Sequence, residues 1–332
     1  MGAWEYRSFV LEYRPSEVSE PLSIIDTLSA GFGTVTRRLW VIVVPVALDL
    51  FLWLGPKLSV APVVRDALAT LQATMAMVAP PGGIDPSMAE TFQVMAEELQ
   101  ATVGQTNLLA LLAWGRLGVP SIAGLRPVNP EVDRIIEITS YGQMFGVQLL
   151  VLLIGLFIAC VFLAVLGQEV RGEGLRIDKL FHAVPRYWLR LLAIVVPLGL
   201  ALMIALSTSL ILGPLAFIVW ALVLWVLLYL FFVPQAVTMA EESPLRALWS
   251  SFVVVRTSFW SALGLILLTH LIGSGLSLIW RNVMALPSGT VIAIVGNAYV
   301  GSGLTAAAFI FYRDRVAMWR ELQHQRSTDT HG

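Results

Sequence analysis

The sequence IIDTLSAGFGTVTRRLWVIVVPVALDL, from Ile24 to Leu50, indicates the fold because the chain repeats it. A shift of 152 positions places this stretch on residues 176–202, and ten of the 24 positions from Ile25 to Leu48 are identical without a gap. The longest shared run is Ile42-Val43-Val44-Pro45, which reappears at 194–197. A repeat of this length predicts that the chain is built from similar units.

A fainter third copy follows at a shift of 220 positions. Leu28 matches Leu248 there, Phe32 matches Phe252 and Trp40 matches Trp260. Each copy has a lead-in of mixed polar and apolar residues that ends near a membrane surface, followed by a long apolar run. The pattern predicts three units, each consisting of a lead-in, a helix across a bilayer and a helix back.

Composition points to lipid as the solvent of much of the chain. Of the 332 residues, 57% are hydrophobic and only 13% are charged, with a mean hydropathy of +0.79. Soluble domains carry about a quarter charged residues. The net charge of -1 argues against a nucleic-acid partner, which requires clustered cations. The four histidines are scattered and Cys160 is the one cysteine, so we expect no metal site and no cofactor.

The apolar runs predict an all-α polytopic membrane bundle with six spans. These are Leu39–Leu54, Phe145–Leu166, Leu191–Leu212, Pro214–Val233, Trp260–Trp280 and Thr290–Tyr312. The first is the shortest and barely crosses a hydrocarbon core of ~30 Å at a rise of 1.5 Å per residue.

The spans divide the chain into four parts. Residues 1–56 hold a cytoplasmic tail, the first lead-in and the first span, and 57–143 form an extracytoplasmic helical insert. Residues 144–312 carry spans two to six, and 313–332 form a cytoplasmic tail. Within the insert, one helix should begin at Pro86, and Leu108–Trp114 is too short to span, which predicts an interfacial or re-entrant piece. The alternative for the insert is a mobile linker with some helicity.

Basic residues predict the orientation. With the N-terminus in the cytoplasm, the inner segments hold 15 Lys and Arg and the outer ones hold six. Five of those six lie in the long insert, where the positive-inside rule loses force. We therefore expect a multi-pass protein of the inner (plasma) membrane with both termini inside, and the bilayer itself as its first partner.

Five polar residues at membrane depth are the candidate functional residues: Asp49, His270, Asn297, Ser207 and Thr208. An ionisable side chain at a helix centre costs at least ~3 kcal/mol, which makes it a functional candidate by default. Each residue also has a structural explanation. Asp49 could lie near the outer interface, His270 could bond a neighbouring carbonyl, and the hydroxyls could bond the preceding turn of their own helix.

Asp49 and His270 are predicted to meet. Both lie ~15 Å along a helix that starts at the inner face, and the shift of 220 makes them neighbours in the repeat. A carboxylate beside an imidazole could remain charged at that depth. We expect a hydrogen bond between them, either to lock the structure or to serve a protonation-linked role.

The sequence also predicts the surroundings of two further groups of residues. Four cations of the second lead-in should mark the lipid-headgroup level, with a specific anionic-lipid site as the alternative: Arg176, Lys179, Arg186 and Arg190. Four small residues of the last span predict close helix packing: Gly296, Gly301, Gly303 and Ala307.

The three units, followed by Tyr312-Arg313-Asp314-Arg315, resemble a broad group of bacterial six-pass membrane proteins. The group includes the membrane domain found with some glycerophosphoryl diester phosphodiesterases. The resemblance is architectural and covers residues 23–320 without the insert. In those enzymes the chemistry belongs to a separate barrel of about 250 residues, which an insert of 87 residues cannot hold. The resemblance therefore implies the fold and no catalysis.

These observations favour a non-enzymatic scaffold or accessory subunit that contacts other membrane proteins. The alternative is a transporter or lipid-handling protein, for which internal repeats and polar groups at the membrane midplane are the usual indications. An intramembrane enzyme is the weakest hypothesis, because the sequence contains no nucleophile-and-base set and no metal-binding motif.

Overall fold

The computed structural model describes residues 22–78, 86–104, 106–113, 118–125 and 134–329. The helices are α1 (Ile24–Arg37), α2 (Val43–Leu54), α3 (Ala61–Val78), α4 (Pro86–Gly104), α5 (Tyr141–Val170), α6 (Ile177–Leu212), α7 (Ala216–Tyr229), α8 (Val233–Met239), α9 (Pro244–Thr257), α10 (Phe259–Met284) and α11 (Gly289–Asp329). Short 3₁₀ turns cover Leu39–Ile42, Leu108–Ala113, Ala123–Leu125 and Gly213–Leu215. The all-α class is confirmed, with one short parallel pair of strands, β1 (Lys57–Ser59) and β2 (Ile135–Glu137).

In the part of the chain that the structure describes, five helices are long and apolar enough to cross a membrane, as in a helical membrane protein. They are Tyr141–Val170, Ile177–Ser209, Gly213–Met239, Phe259–Met284 and Gly289–Glu321. The predicted first span, Leu39–Leu54, is a shorter apolar segment. In α5 and α11, about half of the residues in the apolar stretch that could cross the membrane are buried. In each of the other three helices the buried share of that stretch is 11%. These two helices therefore form the centre of the bundle.

The first lead-in, α1, runs antiparallel along α11. Arg315 donates to the carbonyl of Leu22 (3.4 Å), and the hydroxyls of Thr36 and Tyr299 are 2.8 Å apart. Between these points Gly31 lies against Gly303 and Ala307 so closely that a Cβ atom at Gly31 would be 2.6 Å from backbone atoms. This lead-in is consequently part of the bundle, and not a segment lying on its surface.

The lead-ins of the first and third units correspond closely. The bounds of α1 and α9 differ by 220 positions at both ends. Each helix ends at a residue with similar backbone angles, φ -138° and ψ 63° at Arg38 and φ -128° and ψ 41° at Ser258. The second unit differs, because α6 continues without a break through Arg190, the counterpart of Arg38.

The predicted equivalence of the first two units is therefore not confirmed. Residues 24–54 form α1, a 3₁₀ turn and α2, whereas their counterparts lie in one helix. Pro45 is the third residue of α2, where its missing N–H leaves no hydrogen bond unmade, and Pro197 lies inside α6.

The bundle has an insert end, where α10 ends and α11 begins, and an opposite end, where α5 ends and α6 begins. Strand β1 pairs with β2 in the register Lys57↔Ile135, which brings the two ends of the insert together. Helix α4 begins at Pro86 as predicted. The sequence Asn129-Pro130-Glu131 also predicts the start of a helix. That start lies outside the described residues, and Ile135–Glu137, where the helix would continue, is a strand.

Part of the insert returns into the bundle. The turn Leu108–Ala113 contacts α5, and the amide of Val119 donates to the carbonyl of Ala113 (3.0 Å). Leu112, Ala113 and Val119 are buried in one apolar cluster with residues of α1, α5 and α11. Trp114, the last residue of the segment predicted as interfacial or re-entrant, lies outside the described residues, and the choice between these two positions stays a prediction.

Candidate functional site

Asp49 joins the bundle to the insert. It lies on α2 with 2% of its surface exposed. The Ser121 hydroxyl donates to Oδ1, and the amide of Ile122 donates to Oδ1 (3.3 Å) and Oδ2 (3.1 Å). The carboxylate thus holds the start of the Ala123–Leu125 turn, in the way that an acidic side chain caps a helix N-terminus.

Residues 118–125, which we call the return segment, also fit against α11. The Ser121 hydroxyl accepts from the amide of Ala123 (3.0 Å), which fixes the turn locally. A Cβ atom added at Gly301 would be 2.3 Å from Cβ of Pro120. Only glycine allows this approach, so Gly301 and Asp49 contact neighbouring residues of the same segment.

Asp49, the return segment and Gly301 form the junction between the bundle and the insert. Lys57 completes this junction at the C-terminal end of α2. It is 4% exposed, and its ammonium group donates to the carbonyl of Leu52 and to that of Trp53 (3.0 Å). A cation at a helix C-terminus satisfies carbonyls that have no partner within the helix. Nearby, the Asn107 side-chain oxygen accepts from the amides of Leu58 (3.0 Å) and Leu109 (3.1 Å).

These groups border a small cavity at the insert end. Its empty volume is about 410 Å³, part of which is open solvent. Asp49, Lys57 and Asn107 supply polar lining, and Met284 and Ile294 supply apolar lining from α10 and α11. Because both charged groups are engaged by the chain itself, the arrangement is suited to hold the return segment in place.

The structure separates Asp49 from His270. Met284 lines the Asp49 cavity, and His270 precedes Met284 by 14 residues on α10, about 21 Å along the helix. The predicted hydrogen bond between the two residues is therefore wrong. Asp49 instead lies toward the insert end of the bundle, as required by the alternative prediction of a position near the outer interface. Its hydrogen-bond partners among the described residues come from the insert.

The other membrane-depth candidates lie on α6, α10 and α11. The Ser207 hydroxyl donates to the carbonyl of Met203 (2.9 Å) and that of Thr208 donates to Ile204 (2.8 Å), so both bond the preceding turn of α6. Asn297 on α11 and His270 on α10 are half-buried. The structural alternative accounts for both hydroxyl residues.

Two of the four lead-in cations, at the opposite end of the bundle, bond residues outside α6. Lys179 donates to Glu173 (3.2 Å), which also accepts from Arg171 (2.8 Å). Partial burial alone would raise the pKa of Glu173, but the two cations outweigh it and hold this pKa below its usual value. Arg190 donates to the carbonyl of Glu241 (2.6 Å).

The other two cations are more exposed. Arg186 donates to the carbonyl of His182 one turn earlier (3.0 Å) and is exposed. Arg176 is exposed, and its backbone amide donates to the side-chain oxygen of Gln168 (3.0 Å). A lipid-headgroup role consequently remains a prediction for Arg176 and Arg186 in particular.

The small residues of the last span do pack closely. Gly303 faces the ring of Phe32, Gly296 faces Trp280, and Ala307 faces Gly31. Sequence analysis missed Lys57, Pro120 and Ser121 as junction residues. The available signal was weak: Pro120 and Ser121 indicate only a turn, and Lys57 follows the Gly55-Pro56 pair that ends α2.

Comparison of the chain with protein-family models, with curated proteins and with solved structures finds no match.

Proposed function

We propose that the protein is a non-enzymatic membrane scaffold or accessory subunit. In this role the bundle holds the insert in a fixed position, where it contacts a partner protein. The observation that carries the proposal is the junction. Asp49 accepts from Ser121 and Ile122, and Pro120 lies against Gly301, so the insert is tied to two different helices of the bundle. Contacts with two helices are suited to holding the insert in a fixed position.

The architecture agrees with this role. In the proposed arrangement the chain crosses the membrane six times, in three units, with both termini in the cytoplasm. The first crossing would be the broken path α1–α2, which follows α11 from Leu22 to Thr36. The resemblance to the membrane domain found with some phosphodiesterases supports the same idea, because in those proteins the chemistry resides elsewhere.

The test is extraction of the protein from its native membrane in a mild detergent, followed by identification of what accompanies it. We expect stoichiometric co-purification with another membrane protein. The double variant Asp49→Ala/Ser121→Ala should reduce the amount of that partner, whereas Ser207→Ala, whose hydroxyl bonds only its own helix, should not. Purification of wild-type protein as a single homogeneous species would contradict the proposal.

A transporter or lipid-handling protein is the second candidate. The observation in its favour is the return segment, because irregular backbone at membrane depth is tolerated where it is buried in protein or lines a cavity. Such a protein should gain thermal stability when its ligand is added. A ligand-dependent shift that is lost in Asp49→Asn would favour this candidate over the scaffold.

A further inference from the structure

Helices α3 and α4 form a two-helix arm, defined as residues 61–104. The two helices contact each other, and Leu68, Met75 and Phe92 are buried or half-buried. Val63, near the start of α3, is 2% exposed. The arm is thus packed along its seam, where α3 contacts α4, and at its base, near the start of α3.

The arm also exposes apolar side chains that the seam does not cover. The most exposed is Met77 at 86%, and the others are between 43% and 53% exposed: Leu71, Val94, Met95 and Leu99. Exposed apolar side chains mark an interaction site where they form a contiguous patch rimmed by polar residues. Met95 and Leu99 lie one turn apart on the same face of α4, beside Glu98.

The charge of the arm restricts what can cover this surface. Residues 61–104 contain one cation, Arg65, and five acids, Asp66, Asp85, Glu90, Glu97 and Glu98. Helices that lie on membrane surfaces carry Lys and Arg on their polar face, because lipid headgroups are often anionic. An acidic arm is repelled by such a surface and also by a second copy of itself. The complementary partner is cationic.

Methionine content points to the shape of that partner. Four of the ten methionines lie in the arm. The methionine side chain is flexible and polarisable, so it adapts to different apolar shapes and is frequent on surfaces that bind amphipathic helices. An acidic surface that exposes Met77 and Met95 complements a helix with one apolar face and one basic face.

We propose that the α3–α4 arm is the docking surface for a basic amphipathic helix of a partner protein. This inference rests on the proposed scaffold function and names the class of partner segment that the insert presents. Apolar contacts at Met77, Met95 and Leu99 would supply affinity, and Glu97 and Glu98 would select a cationic partner.

The test uses the full-length protein in nanodiscs of phosphatidylcholine. The probe is a fluorescein-labelled Leu/Lys model peptide with leucines at positions i, i+3, i+4 and i+7, titrated and followed by anisotropy. Two matched peptides serve as controls, one with Glu in place of every Lys and one with the leucines scrambled. We expect saturable binding of the amphipathic Leu/Lys peptide, at least tenfold tighter than either control and absent with empty discs.

Variants locate the binding. Glu97→Gln/Glu98→Gln should weaken binding roughly tenfold, as removal of two charge contacts predicts, and Met77→Gln/Met95→Gln should weaken it by a similar factor. The control Glu321→Gln removes an exposed charge at the opposite end of α11 and should leave binding unchanged. Unaltered binding in both arm variants would overturn the proposal, as would equal binding of the Glu peptide.

A second measurement distinguishes a lipid surface. An environment-sensitive dye on Met95→Cys, in a Cys160→Ala background, should not shift when phosphatidylglycerol replaces part of the disc lipid. A blue shift without peptide would place the arm on the bilayer and overturn the proposal. If no peptide binds but the native protein still co-purifies with a partner, the scaffold function stands and this inference fails. If the peptide binds but the native protein purifies without a partner, this inference stands and the scaffold function fails.

Discussion

Loss of the Asp49 carboxylate should affect the junction more than loss of any other side-chain group. Asp49→Ala leaves the amide of Ile122 and the hydroxyl of Ser121 without their acceptor in a buried site. An unsatisfied buried group costs about 1–3 kcal/mol, so we expect a lower midpoint of thermal unfolding in detergent. Ser207→Ala is the control and should change the midpoint little, because its hydroxyl bonds only its own helix.

A double-mutant cycle tests whether Asp49 and Ser121 act together. Asp49→Ala/Ser121→Ala should destabilise the protein by less than the sum of the two single variants, because either one removes the same hydrogen bond. Strictly additive losses would show that the contact contributes nothing to stability.

Glu242 carries a pH-dependent effect at the opposite end of the bundle. Burial raises the pKa of this carboxyl, and the Ser250 hydroxyl, Arg320 and Arg246 oppose that shift without cancelling it. Since the folded-state pKa lies above the unfolded value, the contribution of Glu242 to stability is fully present below the unfolded pKa. It is lost as pH rises through the folded one.

The expected result is a pH-dependent gain from Glu242→Gln. The variant should match wild-type stability at acidic pH and exceed it at neutral and alkaline pH, because the amide has no charge to bury. Chemical unfolding at several pH values measures this difference. A gain that is the same at every pH would exclude titration of Glu242 as its cause.

Among the helices, α1 and α11 approach each other closely at Gly31. Gly31→Ala adds a Cβ atom 2.6 Å from backbone atoms of Gly303 and Ala307, which cannot move without shifting a helix. We expect loss of stability, typically 1–3 kcal/mol for overpacking. Gly33→Ala on the same helix meets nothing within 4 Å and should be neutral or stabilising by up to about 1 kcal/mol. Thermal unfolding of both variants checks the contrast, and equal effects would contradict this packing.

Local sequence explains why the repeat produces two different structures. The first lead-in ends with Thr34-Val35-Thr36 before the break at Arg38, and the third ends with Val253–Thr257, rich in β-branched residues, before Ser258. Such side chains are restricted in a helix and lower its propensity. The second copy has Arg186-Tyr187-Trp188-Leu189 at these positions and remains helical. Sequence identity over ten positions predicted the units, but propensity at non-identical positions determines where each helix breaks.

At the scale of the whole molecule, hydropathy predicted the five long helices because lipid exposure requires long apolar runs. The glycine contacts of α11 were also predictable, since small residues in a membrane helix favour close approach. The partner of Asp49 was not. Ser121 and Ile122 lie more than 70 positions away in an insert with little periodic signal, and helix depth alone suggested His270. Depth along a straight helix fails as a guide when a re-entrant segment supplies the contact.

The topology of the molecule is tested by the accessibility of single cysteines in a Cys160→Ala background. Ser87→Cys in the insert should react with an impermeant thiol reagent in intact cells. Ser23→Cys and Ser327→Cys should react only after the membrane is permeabilised, because both termini are expected in the cytoplasm. Labelling at position 23 in intact cells would contradict this orientation.

The central claim is that residues 118–125 of the insert return into the bundle against α11. Its most direct measurement is a disulfide cross-link between Pro120→Cys and Gly301→Cys in a Cys160→Ala background. The two Cβ positions are 2.3 Å apart, so a small outward shift of the return segment brings them to the separation of about 4 Å that a disulfide requires. A protease site in the exposed connection between α5 and α6 lets a non-reducing gel detect the link after cleavage. Pro120→Cys with Gly275→Cys is the control, since nothing lies within 4 Å of a Cβ atom at Gly275.

After mild oxidation we expect the two fragments of the Pro120/Gly301 pair to remain joined until reductant is added, and those of the control pair to separate. Separation of both pairs, with both variants folded, would show that the insert does not enter the bundle and would contradict the account.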